Sequence, residues 1–203
     1  MRVLSLETAC YGEASAALIK EDKVLAKKVW PLGREVSAEL VPAVAEMTGG
    51  VPPDLIVVDR GPGSFTGIRT GIAAAQGLAL GWGCELVGLP YFSYYPRVAE
   101  KGSELLLLNA RAGGGFYYEY RTEKGCSAGY AKVEELPQKF PDCECYYGEC
   151  DENTFPGAEY VPVKVERGAE SLARLALEKR LKGEALPPEA IYLHLRANLP
   201  KKD

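Results

Sequence analysis

Residues 2–23, RVLSLETACYGEASAALIKEDK, lie over residues 104–125, ELLLLNARAGGGFYYEYRTEKG, at an offset of 102, half of the 203-residue chain, with no gap. Each copy opens on an apolar-rich strand, 3–6 and 105–108, and passes one polar residue, Glu7 or Asn109. Each then turns through a loop with a glycine at the matching place, Gly12 or Gly114, into a second strand, 14–19 or 116–120. Two strands about a glycine-bearing turn make a hairpin. A hairpin repeated at half the chain length predicts two duplicated lobes, 1–101 and 102–203, each near the common size of a domain.

After the first hairpin, KVLAKKVW predicts a third strand, and REVSAELVPAVAEM places Leu40, Val41, Val44 and Met47 at helical spacing. Pro42 predicts a kink in that helix or a start later than Arg34. DLIVVD and ELVGLP are short continuous apolar runs of the buried parallel type, and GIRTGIAAAQGLALGWG between them is a second helix. The first half therefore reads βββαβαβ. The second half repeats the hairpin, then holds short strands and loops up to residue 163. The helix GAESLARLALEKRLKG follows, with Leu172, Leu175, Leu177 and Leu181 as its apolar positions, and AIYLHLRAN closes the chain as a strand or tail.

The sequence DRGPGSFTGIRTG, residues 59–71, joins the buried strand to the second helix. Its glycines lie at the carboxyl end of a strand, where open α/β sheets build ligand crevices and a helix N-terminus favours anions. The spacing G-x-G-x-x-x-G matches neither the dinucleotide fingerprint nor the lysine-bearing P-loop. The helix itself carries Gly67, Gly71, Gly77 and Gly81 among alanines. Interior glycines cost about 1 kcal/mol each relative to alanine, so close approach of another surface must offset them. That surface is either the chain's own sheet or a partner. Candidate nucleotide contacts are Glu7, Thr8, Gly61, Gly63 and Ser64, with Glu7 and Asp59 placed to share Mg2+; for Glu7 a solvated strand end or a cap to the following turn reads equally well. Ser64 and Thr66 have no base beside them in sequence, and the single histidine, His194, is near the C-terminus.

A formal net charge of −4 excludes a broad autonomous nucleic-acid surface, and no apolar run approaches the ~20 residues of a membrane span. The first residues form no secretory signal, so the expected compartment is the cytoplasm. Cys143, Cys145 and Cys150 cluster in CECYYGEC, but their spacing fits no standard zinc pattern, and free thiols are the expectation.

The stretch RGPGSFTGIRTGIAAAQGLAL resembles the signature of the TsaB (YeaZ) family. MRVLSLETA, REVSAELVPAV, ELVGLP, NARAGGGFYYEYR and IYLHLRANLPKK resemble its flanking elements in order. The resemblance implies the actin-like and Hsp70-like ATPase fold of two duplicated RNase H-like lobes. It also implies a non-catalytic partner and activator of TsaD, which transfers threonylcarbamoyl to the adenosine next to the anticodon of tRNAs reading codons that begin with A. TsaE, a TsaC-type threonylcarbamoyl-adenylate synthase and tRNA held by the complex are the further partners, and the chain alone is expected to homodimerise. ATP or ADP with Mg2+ is the implied cofactor at the partner interface. Where TsaD carries an H-x-x-x-H metal pair, this chain has Tyr91 and Tyr95. Family members often carry a histidine near the position of Val36. The expected docking face comprises Gly67, Arg69, Gly71, Ala74 and Gly81 of the glycine helix with Leu40 and Val44 of the first helix, Arg69 being either a polar contact or solvated. The alternatives are a small ATPase or kinase using Glu7, Asp59 and the loop amides, and a glycoprotease, for which no nucleophile–base pair is present.

Overall fold

Strand formation follows the repeat closely. In a computed structural model describing residues 1–21, 23–31, 36–111 and 114–191, strand β1 spans Arg2–Glu7 and β2 Glu13–Lys20. After β3 (Lys23–Pro31) come helix α1 (Val36–Thr48), β4 (Leu55–Asp59), α2 (Phe65–Trp82) and β5 (Glu85–Leu89). The second series opens with β6 (Glu104–Asn109), β7 (Gly115–Thr122) and β8 (Gly125–Lys132), each starting 102 residues after its counterpart. It continues through the four-residue α3 (Leu136–Lys139), β9 (Cys145–Gly148) and β10 (Glu159–Tyr160), and α4 (Ala169–Leu181) ends it.

Both sheets have the same topology. The orders are β3-β2-β1-β4-β5 and β8-β7-β6-β9-β10, the first three strands antiparallel and the remaining pairings parallel. This is the duplicated RNase H-like arrangement of the ATPase fold. The chain divides into one unit of Met1–Tyr94 with Glu166–Ile191 and a second that includes Tyr95–Val165. Helix α4, placed by its sequence position in the lobe 102–203, packs on β1 and β2 of the first unit. Sheet hydroxyls dock its start. Ser15 Oγ accepts from Ala169 N at 2.9 Å, and Ser5 Oγ donates to Ala169 O.

Helix faces differ from the apolar stripes expected of them. In α4 the buried residues are Ala169, Leu172, Ala173 and Ala176, while Leu181 is 89% exposed. Small side chains bring this helix close to the sheet, and close packing rather than bulk decides the face. In α1 the buried set is Val36, Leu40, Ala43, Val44 and Thr48, and Val41 faces out. Pro42 sits inside α1, whose described span begins at Val36.

The second unit fills its core with rings. Leu105, Leu107, Phe116, Tyr118, Phe140, Tyr146 and Phe155 form one cluster, with Tyr118 edge-on to Phe140 at 4.9 Å between centroids. Cys143 and Cys145 are buried, and all six cysteines are free thiols. Burial pushes the Cys143 and Cys150 thiols up to about 12, so neither forms the reactive thiolate at neutral pH. Among the described residues no group of three His, Cys, Asp or Glu side chains is placed to hold a metal ion, and no helix is long and apolar enough to cross a membrane.

Candidate functional site

Parallel pairing of β1 with β4 sets Leu6 beside Val58, which brings Glu7 and Asp59 to adjacent strand ends. Neither is solvated: Glu7 is 1% exposed and Asp59 0%. Each carboxyl group holds the loop that follows its strand. Glu7 Oε1 accepts from Cys10 N at 2.9 Å, and Asp59 Oδ1 accepts from Gly61 N at 2.7 Å. Asp59 Oδ2 is buried with no hydrogen-bond partner among the described residues. Burial, with the Glu13 charge behind it, pushes Glu7 up to about 7. Burial and then the Glu7 charge hold Asp59 well above the usual carboxylate range.

The glycine loop closes on the chain itself. Ser64 N donates to Ala9 O at 2.8 Å, Thr8 Oγ1 donates to Gly67 O at 2.8 Å, and Ser64 Oγ caps α2 by accepting from Gly67 N at 3.2 Å. A β-carbon at Gly63 would run into the carbonyl of Ala9, one at Gly67 into that of Thr8, and one at Gly71 into the Thr8 hydroxyl. The close approach that these glycines permit is therefore to the β1–β2 turn. Gly61, joined to Pro62 by a cis peptide bond, packs against Ile68.

Two consequences follow for a nucleotide with Mg2+. The amides of Gly61, Ser64 and Gly67 already donate within the chain, so they do not form a phosphate cradle. Mg2+ takes ionised oxygen ligands and keeps several waters, a poor match for two buried carboxyl groups with raised proton affinity. Beside the loop, however, lies a cleft of about 560 Å3 lined by Thr8, Cys10, Ser37, Ser64, Thr66 and Thr70 among others. Thr8 and Ser64 of the expected nucleotide contacts line it; Glu7, Gly61 and Gly63 do not.

The expected docking residues separate into groups. Leu40 (1% exposed), Val44 (0%) and the buried Gly71 belong to the first unit's own core and present no surface. Gly67 is held against Thr8, and Ala74 is half-buried. Arg69 is exposed, its guanidinium 5.0 Å from the Phe65 ring centroid. Gly81 is exposed, as is Gly77, with nothing among the described residues within 4 Å of a β-carbon built on either. Ala73 and Leu80, the latter 86% exposed, complete this outer face; Leu80 did not stand out beside the glycines in sequence. The tyrosines at the H-x-x-x-H spacing serve different networks. Tyr91 accepts from Arg167 Nη1 at 2.7 Å in the first unit, and Tyr95 packs on Tyr147 in the second. His194 lies outside the described residues.

The family model described as TsaD, tRNA N6-adenosine threonylcarbamoyltransferase, matches residues 44–128. The chain is 36% identical over 91 residues to the tRNA threonylcarbamoyladenosine biosynthesis protein TsaB of Bacillus subtilis, covering 42% of this chain and 38% of that protein. It is 30% identical over 133 residues to the protein of the same name from Escherichia coli, covering 61% of this chain and 57% of that protein. The matches thus span between a third and three fifths of the curated relatives' lengths. The solved structure of YeaZ from Pseudomonas aeruginosa superposes with a TM-score of 0.68 at 21% identity, over 95% of this chain and 99% of that one. With the duplicated sheets and the glycine loop in place, the chain is similar in sequence to TsaB proteins over part of their length and shares the fold of YeaZ.

Proposed function

We propose that this chain is the non-catalytic partner and activator of TsaD in threonylcarbamoylation of the adenosine next to the anticodon in tRNAs reading codons that begin with A. The observation that carries this reading is the outer face of α2. Ala73, Gly77 and Gly81 recur every fourth residue, Leu80 projects beside them, and none of the described residues covers either glycine. Residues four apart share a helix face, and a face without bulk admits a partner helix at close range. Leu80 then supplies the apolar anchor. The sequence matches to TsaB proteins and to the TsaD model support the identity of the partner. In this reading TsaD performs the transfer, TsaE and a TsaC-type synthase act with it in the cytoplasm, tRNA is reached through the complex, and the chain alone pairs with a second copy by the same face.

The test is co-purification with TsaD and transfer of threonylcarbamoyl to tRNA, using Gly77→Leu and Leu80→Glu. Both variants should fold normally, lose the complex and lower transfer to the level without this chain. Complex formation at wild-type strength by both would refute the reading. Gly71→Leu is unsuitable, because its side chain would strike Thr8 of the same chain.

The hydroxyl-lined cleft supports a second reading: ATP or ADP, with Mg2+ carried by its phosphates, binds there at the partner interface, or the chain is itself a small ATPase or kinase. Binding of a fluorescent ATP analogue only when TsaD is present favours the interface. Turnover by the isolated chain that Thr66→Val, a change in the cleft lining, abolishes favours the enzyme.

A further inference from the structure

Gly88 lies within β5, a strand with no turn at that point, and its φ is outside the left-handed region, so its backbone suits any residue. What excludes a side chain is a neighbour: a β-carbon there would stand 2.7 Å from both Pro187 O and Pro188 Cα. Glycine inside a strand marks a close backbone approach, and here the approaching segment is residues 184–191, beyond α4. The chain reverses at Gly183 (φ 72°), Lys179 pairs with Glu184 at 2.7 Å, and Gly88 N donates to Leu186 O at 2.9 Å. Two prolines, which carry no N–H, stop further pairing. Ile191 N then donates to Arg60 O at 2.8 Å, at the entry to the glycine loop. Leu186, Pro188 and Ala190 are half-buried and the residues between them exposed, so the segment rests on the protein by one side.

The position of this segment gives it a task. β5 is an edge of the first sheet. The opposite edge, β3, carries Lys23, Lys27 and Lys28, the charges that blunt an edge against pairing, whereas ELVGL carries only Glu85. We propose that residues 184–191 form a strap that guards the β5 edge, and that lifting it lets β5 pair with β5 of a second copy. An antiparallel pairing about Val87 would set Glu85 opposite Leu89 and Leu86 opposite Gly88, so no like charges meet. This interface is distinct from the α2 face and stands whether or not the TsaD reading does.

The experiment uses the full chain with Leu80→Glu, which disables the α2 face, and adds Gly88→Ala or Ile191→Pro. Amide exchange is followed by mass spectrometry on protein diluted until it is monomeric, because pairing about Val87 would protect the Gly88 amide again, with circular dichroism as a check of folding, and mass by sedimentation at tens of micromolar. Gly88→Ala should speed exchange at residue 191 at least tenfold while the amides of Ile56 and Val58 stay protected, and should convert monomer to dimer. Ile191→Pro, which leaves β5 untouched, should speed exchange at residue 88 to the same degree and produce the same dimer. If either folded variant keeps the amide at the far end of the strap protected, the two contacts are not one strap. If the amides are released and the mass remains monomeric, self-pairing is wrong. Should Gly88→Ala fail to fold, Ile191→Pro decides alone.

Discussion

The first position of the first strand is Arg2 in one unit and, 102 residues on, Glu104 in the other. Arg2 reaches the end of α1, donating to Val51 O at 2.9 Å and Thr48 O at 3.3 Å. Glu104 is fully buried and accepts from Val98 N, Ala99 N and Tyr147 OH, with Arg121 Nη1 at 3.3 Å. The last position diverges as well: Glu7 is buried and holds a loop, while Asn109 is exposed. The strand frame survived duplication, and the groups at the strand ends were reassigned. The first unit invests in long helices and a locked loop; the second replaces them with aromatic rings and one buried ion-pair network.

Breaking that network should give the largest effect. Arg121→Met removes the cation that faces Glu104 and Glu119, leaving a buried carboxylate uncompensated, at a cost of about 3–5 kcal/mol. Urea denaturation should show the loss, with amide exchange confining it to the second unit. Next is the first unit's loop: Gly67→Ala drives a β-carbon into the Thr8 carbonyl and should cost about 3 kcal/mol. Its contrast is Gly114→Ala in the other hairpin, which meets open space at φ 67° and should cost about 1 kcal/mol in the same assay.

The pH dependence separates the units further. Burial raises Glu7 from 4.5 to about 7, so the folded state binds a proton that the unfolded chain releases, and stability falls as pH rises through that interval. The loss between pH 5 and pH 8 should be on the order of 2–3 kcal/mol. Glu7→Gln, which keeps an oxygen for Cys10 N, should flatten that part of the curve, whereas Asn109→Asp on the exposed strand end should leave it unchanged. A wild-type slope that persists in Glu7→Gln would assign it to Asp59 instead. The smallest effect is a gain: Gly77→Ala, in open space on α2, should stabilise the chain by about 1 kcal/mol in thermal melts.

The sequence showed the strands because period and repetition coincide: β1, β2, β6 and β7 fall where the 102-residue offset puts them. Glu7 and Asp59 were legible as strand ends, and Gly67 and Gly71 as sites of close contact. Their contact was not, because Thr8 lies 59 residues from Gly67 and nothing in either segment marks the pair. Exposure was hard to read for a related reason. Glycine reads alike whether it admits the chain's own backbone or waits for another, so Leu40, Val44 and Gly71 were grouped with the exposed Gly81. In α4, leucines outnumber alanines as an apolar signal, yet Leu172 is the one leucine that joins the three alanines in the buried face. The strap left one readable mark, a glycine inside the apolar run ELVGL, where a strand ordinarily has no use for one.

Helix α4 begins 80 residues after β5 ends, yet it covers β1 and β2. During synthesis at 5–20 residues per second, the first sheet therefore waits roughly 4–16 s for the helix that seals one of its faces. Over that interval the nascent chain shows apolar surface that the finished protein hides, which makes the ribosome-bound half a client for chaperones and leaves a fragment ending near residue 94 poorly suited to expression on its own.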